Sequence, residues 1–298
     1  MDITGTTILA GIIGDPVGHS LSPVIHNSAF RHLGIDWCYL AFRVTPDGLT
    51  DAIAGVRALG IQGLNVTMPH KTAVIPLLDR LDESASIPGA VNTISREGDL
   101  LVGYNTDGSG FLQALKQEMG FDPRGKKVLM LGAGGSARSA GVSLVLAGCS
   151  SMVVANRTRS RGLELVRAVN HAQEAARGPN RVCPEFMEPG AGLQAVAESA
   201  HLVINATPLD DLAGSEFMVE PFRFREGSLL CDLKYRESGS SFLQQAATVG
   251  VKVMDGLGML LYQAALAFTI WTGQDPPLEI MKEALPRPLA HGAADYSE

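Results

Sequence analysis

The stretch Val128-Leu129-Met130-Leu131-Gly132-Ala133-Gly134-Gly135-Ser136-Ala137 decides the fold. Four aliphatic residues read as a buried strand, a glycine-rich turn follows, and a helical pattern continues through Leu146. This is the strand-turn-helix setting of a dinucleotide-binding fingerprint, with Ala137 at its third small position. Gly132 permits a tight turn, and Gly134 lets the backbone approach a pyrophosphate. Ala133, Gly135 and Ser136 lead into a helix N-terminus whose unpaired N–H groups and positive potential suit phosphate. The plain alternative is a loop that only closes a strand against a helix.

Downstream, Met152 to Ala155, Leu202 to Asn205, Leu229 to Leu233 and Val251 to Met254 are short, aliphatic and bounded by turn residues, as in a buried parallel sheet. The first of these strands, Met152 to Ala155, runs into Asn156-Arg157-Thr158-Arg159-Ser160-Arg161. An NAD enzyme places an acid about 20 residues past the loop, to hold the ribose 2′-hydroxyl. Here guanidinium groups and a hydroxyl stand instead, and they match the charge and geometry of a 2′-phosphate. The expected cofactor is NADP, held by Asn156, Arg157, Thr158 and Arg161. A solvated helix start would explain the arginines less well, because positive charge there opposes the helix dipole.

Upstream, Thr7 to Ile13, Trp37 to Val44 and Gly63 to Met68 read as strands, with Pro23 to Leu33 and Leu49 to Leu59 as helices between them. Such alternation means β-α-β units with parallel strands. At 298 residues the chain favours two domains. Turn chemistry at Asn105 to Gly110 and at Asp255-Gly256 marks the boundaries. The expectation is an α/β protein: residues 1–106 with 257–298 form a substrate domain with a mainly parallel sheet, residues 107–256 form a Rossmann-type NADP domain, and a cleft separates them. Met259 to Phe268, apolar on all faces, should return to the first domain as a packed helix.

Composition narrows the function. With 18% charged residues and a formal charge of −7, the chain lacks the clustered Lys and Arg that nucleic acid requires. Cys38, Cys149, Cys183 and Cys231 lack paired metal or redox spacing and read as buried, reduced thiols. His19, His26 and His70 do not form a ligand set, so no metal is expected. No leading Lys or Arg marks a secretory signal, Met259 to Trp271 is too short to span a bilayer, and the polar tail after Leu285 reads as frayed. A cytoplasmic, membrane-free protein acting on a small molecule, as monomer or homodimer, is the expectation.

Four clusters in the first half place hydroxyl, amide and ionisable groups at strand ends or turns. They are Ser20-Leu21-Ser22-Pro23, Asn65-Val66-Thr67-Met68-Pro69-His70-Lys71, Ala90-Val91-Asn92-Thr93 and Asn105-Thr106-Asp107-Gly108. With Gly14-Asp15-Pro16, Gly89, Asn156 to Thr158, Asn205-Ala206-Thr207, Asp255 to Leu260 and Gln263, this series resembles the shikimate dehydrogenase family in order and spacing across nearly the whole chain. The resemblance implies reversible hydride transfer between 3-dehydroshikimate/NADPH and shikimate/NADP, in aromatic amino acid biosynthesis. By the same resemblance Ser20 and Ser22 bind the substrate carboxylate, and Thr67, Asn92, Asp107 and Gln263 contact ring hydroxyls. Asn65 and Tyr235 also line the substrate, Thr207 and Gly256 the cofactor, and Lys71 and Asp107 form the catalytic pair.

Oxidising a secondary alcohol independently requires a group that takes the hydroxyl proton as hydride leaves. Lys71 can serve, or can stabilise the developing alkoxide, with Asp107 orienting it. The residues leave open which of the two carries the proton. Structural readings stand beside the functional ones: Ser22 as a helix N-cap ahead of Pro23, Asp107 as the cap of a helix starting near Ser109, Lys71 as a surface lysine, Gln263 as a buried amide. Leu209-Asp210-Asp211 and Arg236-Glu237-Ser238 depart from the family pattern. Rival readings are a quinate or quinate/shikimate dehydrogenase, and a catalytically silent regulatory or binding protein of the same fold.

Overall fold

The computed structural model describes residues 3–176, 182–210, 212–220, 223–235 and 240–286. Asp211, Arg236-Glu237-Ser238 and the tail from residue 287 lie outside the described residues. The chain divides into two compact units, Met1–Gly110 with Leu260–Pro286 and Phe111–Met259. Both seams fall inside helices, a few residues beyond 106/107 and 256/257, where a helix carries its own hydrogen bonds across the divide.

The first unit opens with β1 (Ile8–Gly14), α1 (Ser22–Leu33), β2 (Trp37–Arg43), α2 (Leu49–Ala58) and β3 (Gly63–Val66). It continues through β4 (Arg80–Leu81), α3 (Glu83–Ser86), β5 (Thr93–Glu97), β6 (Leu100–Tyr104) and the start of α4 (Asp107–Met119). The second unit holds β7 (Lys127–Leu131), α5 (Gly135–Leu146), β8 (Ser151–Ala155), α6 (Arg159–Ala176), β9 (Pro184–Met187) and α7 (Gly192–Ser199). It ends with β10 (Leu202–Asn205), β11 (Leu229–Asp232), α8 (Ser241–Thr248) and β12 (Lys252–Met254), after which α9 (Gly256–Thr272) leads back to the first unit and α10 (Leu278–Glu283).

In the first unit the sheet order is β2-β1-β3-β5-β6-β4. β1 runs parallel to β2 and β3, as the β-α-β connections demand, while β5 is antiparallel to β3 and β6. The β5–β6 hairpin turns at Gly98-Asp99, where Gly98 has φ 65°, the left-handed backbone that a tight hairpin needs. Side chains of β1 alternate between two cores. Ala10 and Ile12 pack with α1, α9 and α10, and Ile13 packs with Leu49, Ile53 and Val56 of α2. Residues Leu261, Ala264, Ala265 and Phe268 of α9 are buried there with Ile25 and Phe30.

The second unit is a fully parallel sheet in the order β12-β11-β10-β7-β8-β9. Strand order reverses between β7 and β10, the arrangement of a Rossmann dinucleotide-binding domain. Every residue of β10 and β11 is buried, which is why both read as unbroken aliphatic runs. Three cysteines are buried as expected, but Cys183 is exposed, because it precedes β9 at the sheet edge. No helix among the described residues is long and apolar enough to cross a membrane, and no group of three or more ligand side chains is placed to hold a metal.

Candidate active site

Strand directions bring the four polar clusters of the first unit to one edge of its sheet. β1 and β3 end there, and the antiparallel β5 begins there, with Asn65 opposite Thr93. β6 ends there too, with Tyr104 opposite Thr93. The Gly14 to Ser22 loop, Asn65 to Lys71, Asn92-Thr93 and Asn105 to Asp107 therefore share the strand ends at which open α/β sheets bind ligands.

At that edge Lys71 Nζ donates to Asp107 Oδ2 at 2.5 Å, with the side chains only 12% and 6% exposed. The carboxylate is held from several sides. Asn92 Nδ2 donates to Asp107 Oδ1 at 2.8 Å, and the Asp107 backbone N–H donates to Asn105 Oδ1 at 3.1 Å. Asp107 is the first residue of α4, where the helix dipole favours negative charge. The helix thus starts at Asp107 itself, which corrects the expected cap ahead of Ser109. Lys71 is fixed through its main chain, whose carbonyl accepts from Val91 N–H at 2.8 Å. A half-buried, paired lysine replaces the surface-lysine reading.

Asn92 is the hub. Its Oδ1 accepts from Thr106 N–H at 2.8 Å and from the Thr93 hydroxyl at 3.0 Å, so its amide N faces Asp107, Thr106 and Gln263 Oε1. Gln263 donates to Leu260 O at 2.9 Å, so its amide is satisfied partly by backbone and partly by this hub. Gly110 allows that approach: a Cβ there would lie 2.6 Å from Gln263 N. Asn65 donates to Asn92 O and Thr93 Oγ1, both at 3.1 Å. Thr67 follows β3 and is half-buried. His70 is buried with Nε2 2.7 Å from Val44 O, a structural position.

Ser22 does not cap α1. Leu21 is the N-cap residue, without a side-chain capping bond, and Ser22 is the first helical residue, its N–H bonded to Ser20 Oγ at 3.3 Å. The first turn carries no acid, so the positive end of the helix dipole stands beside two serine hydroxyls. A carboxylate suits it.

In the second unit the candidate cofactor residues gather at the ends of its parallel strands. Gly132 follows β7 with φ 103°, and a Cβ on it would lie 2.8 Å from the Ala206 backbone, so only glycine fits. Ala133 continues the turn. Gly134 is the N-cap of α5 and a Cβ there would meet nothing within 4 Å, leaving open space above the N-terminal Gly135, Ser136 and Ala137. Past β8, Asn156 Nδ2 donates to Thr158 O at 2.8 Å, pinning the turn. Arg157 is 79% exposed and only 3.9 Å from Glu216, Arg159 is held by Glu188 at 2.9 Å and lies over Phe186, and Arg161 makes no ion pair among the described residues. These residues fit a 2′-phosphorylated dinucleotide: a dipole and open backbone for the pyrophosphate, loosely held guanidinium groups for the extra phosphate. Thr207 caps the turn after β10, its N–H and hydroxyl both bonded to Asn205 Oδ1. Gly256 starts α9 with N–H bonded to Lys234 O, and Tyr235 follows β11, so Tyr235 belongs to the second unit rather than to the Asn92 network.

Sequence reading alone did not single out Tyr39, Thr93 and Thr106 as members of the network. Thr93 and Thr106 stand inside the quoted clusters, so their proximity was a usable signal. Tyr39 lies in an apolar strand and offered none.

The chain matches family models described as the shikimate dehydrogenase substrate binding domain over residues 12–94, shikimate / quinate 5-dehydrogenase over 114–182, and the shikimate 5′-dehydrogenase C-terminal domain over 256–285. A curated NADP(+) shikimate dehydrogenase of Moorella thermoacetica is 46% identical, covering 96% of this chain and 95% of its own. The crystal structure of Listeria monocytogenes shikimate 5-dehydrogenase with shikimate and NAD superposes with a TM-score of 0.84 at 33% identity, covering 95% and 98% of the two chains. That of the Thermus thermophilus enzyme with NADP(H) and shikimate gives 0.78 at 36% identity, over 93% and 98%. Similarity of this depth along the whole length leaves one conclusion: the chain belongs to the shikimate dehydrogenase family.

Proposed function

We propose that this chain is an NADP-dependent shikimate dehydrogenase, oxidising one ring alcohol of shikimate to the 3-dehydro ketone and reducing it in the reverse direction. The observation that carries the reading is the Lys71–Asp107 pair, braced by Asn92. As the carbinol carbon gives up hydride, the hydroxyl must lose its proton, and an ammonium beside a carboxylate offers both a donor and an acceptor to that oxygen. When bound, NADP supplies the nicotinamide carbon that receives the hydride. Ser20, Ser22 and the α1 N-terminus hold the ring carboxylate. Asn65, Thr67, Asn92, Gln263 and Tyr235 contact the ring and its hydroxyls. Gly132 to Ala137, Thr207 and Gly256 take the nucleotide, with Asn156, Arg157, Thr158 and Arg161 on its 2′-phosphate.

The test is turnover. Purified protein should form NADPH from shikimate, faster than from quinate and faster with NADP than with NAD. Binding of both ligands without NADPH formation at any pH would overturn the reading in favour of a silent binding protein.

A further inference from the structure

We propose that Tyr39 is a positioning residue for the reaction, setting the Asp107 carboxylate through a relay of directed hydrogen bonds. The inference rests on the proposed dehydrogenase reading of the site. Tyr39 is fully buried in β2, separated from β5 by β1 and β3, yet its hydroxyl donates to Asn65 Oδ1 at 2.7 Å. That bond holds Asn65 Oδ1 in place, and the Asn92 carbonyl, which can only accept, sets the flip of the amide. Nδ2 faces Asn92 O and Thr93 Oγ1, both at 3.1 Å. Thr93 Oγ1, accepting from Asn65, turns its own hydrogen to Asn92 Oδ1 at 3.0 Å. Asn92 Oδ1 accepts this hydrogen together with that of Thr106 N–H at 2.8 Å, and Nδ2 is aimed at Asp107 Oδ1 at 2.8 Å. The phenol thus stands at the outer end of a continuous chain of hydrogen bonds that reaches the carboxylate paired with Lys71.

The ring itself is anchored for that task. It stacks on His26 with centroids 4.5 Å apart and planes 15° apart, and lies 6.0 Å from Trp271. Asn27 clamps its main chain, accepting from Tyr39 N–H and donating to Tyr39 O, each at 2.9 Å. Trp271 in turn donates to Ile94 O at 2.9 Å, beside Thr93. A phenol held this rigidly loses little on giving a directed bond, and none of these atoms needs to touch the ring substrate.

The experiment compares wild type, Tyr39→Phe, Thr93→Val and the double variant by kcat, KM for shikimate, KM for NADP and thermal midpoint. Phe keeps the ring and its stack, and Val keeps the volume of Thr, so each deletes one hydroxyl from the relay. Tyr39→Phe should lower kcat about three- to tenfold, leave the KM for NADP unchanged, and show little further loss when Thr93→Val is added, because both break one chain. Unchanged kcat in Tyr39→Phe, or losses that multiply in the double variant, would overturn the relay. Should Tyr39→Phe not fold, Thr93→Val alone decides: a kcat equal to wild type also overturns it. A wild type without NADP-dependent shikimate turnover would instead sink the underlying function.

Discussion

The candidate sites of the two units are built by different means. At the edge of the first sheet, Lys71, Asp107, Asn92, Thr106 and Gln263 form one hydrogen-bonded network of side chains. At the strand ends of the second sheet, the glycine loop offers backbone and empty space, and Arg157 and Arg161 stand in solvent. A satisfied network is stiff, so a change anywhere in it is felt by its neighbours. An open loop tolerates change structurally and reports it only when the nucleotide binds.

The largest effect should come from breaking the network at its charged end. Lys71→Ala is expected to lower kcat about 100- to 10,000-fold, the span of a lost acid–base group, while shikimate affinity by equilibrium titration moves less than about tenfold. Equal losses in turnover and affinity would show that Lys71 only positions the ring. Next comes Gly110→Ala, which puts a Cβ 2.6 Å from Gln263 N and forces α4 away from α9 one turn after Asp107. Overpacking of this kind costs about 1–3 kcal/mol, and kcat should fall with it. Gly55→Ala in α2 is the control: its Cβ meets nothing within 4 Å, so it should raise stability by up to about 1 kcal/mol through helix propensity. Loss of stability in both variants would mean that close approach at Gly110 is not the cause.

His26 is the exception inside the first unit, and it gives the comparison a pH axis. Among the described residues it alone has buried ring nitrogens without a hydrogen-bond partner, and burial lowers its pKa from 6.5 to about 3. Between those values the unfolded chain takes up a proton that the folded chain refuses, so stability falls as pH drops below about 6.5. At pH 5 the cost is about 2 kcal/mol. Denaturant unfolding at pH 6.5 and pH 5 should therefore show a smaller acid loss in His26→Phe than in wild type. Parallel losses would place the acid sensitivity elsewhere.

The same contrast explains what the sequence revealed. The second unit was legible almost strand by strand because parallel buried strands are aliphatic runs and the glycine loop stands in the strand-turn-helix setting of a dinucleotide fingerprint. The hairpin of β5 and β6 escaped because Thr93 and Ser95 are buried polar residues, bonded into the network or ladder, and they erase the apolar alternation. Ser22 was misread as a cap because Ser before Pro is the usual local signature, whereas the chain lets Leu21 hold that place and spends Ser20 Oγ on the Ser22 N–H. Tyr39 was invisible for a simpler reason: a phenol in an apolar strand looks like core until its hydroxyl's partner is known. Local chemistry shows where polar groups gather, and only the fold shows which of them are joined.

The smallest effects belong to the open loop, and they should separate cleanly from stability. Gly134 has φ −77° and ψ −177°, an extended backbone that Ala adopts freely, and open space where a Cβ would go. Gly134→Ala should change unfolding free energy by less than about 1 kcal/mol, the size of an N-cap exchange, while raising the KM for NADP about tenfold by filling the room a pyrophosphate needs. Arg161→Gln removes a solvent-facing charge with no ion pair among the described residues, so folding should not notice it. A charge-assisted bond to a 2′-phosphate is worth about 1.5–3 kcal/mol in full and less where solvent reaches it, which predicts a five- to tenfold rise in the KM for NADP. NAD has no phosphate there, so its KM should stay where it was. A matching rise for both nucleotides would assign Arg161 to the shared part of the cofactor and remove the arginine turn from the argument for NADP.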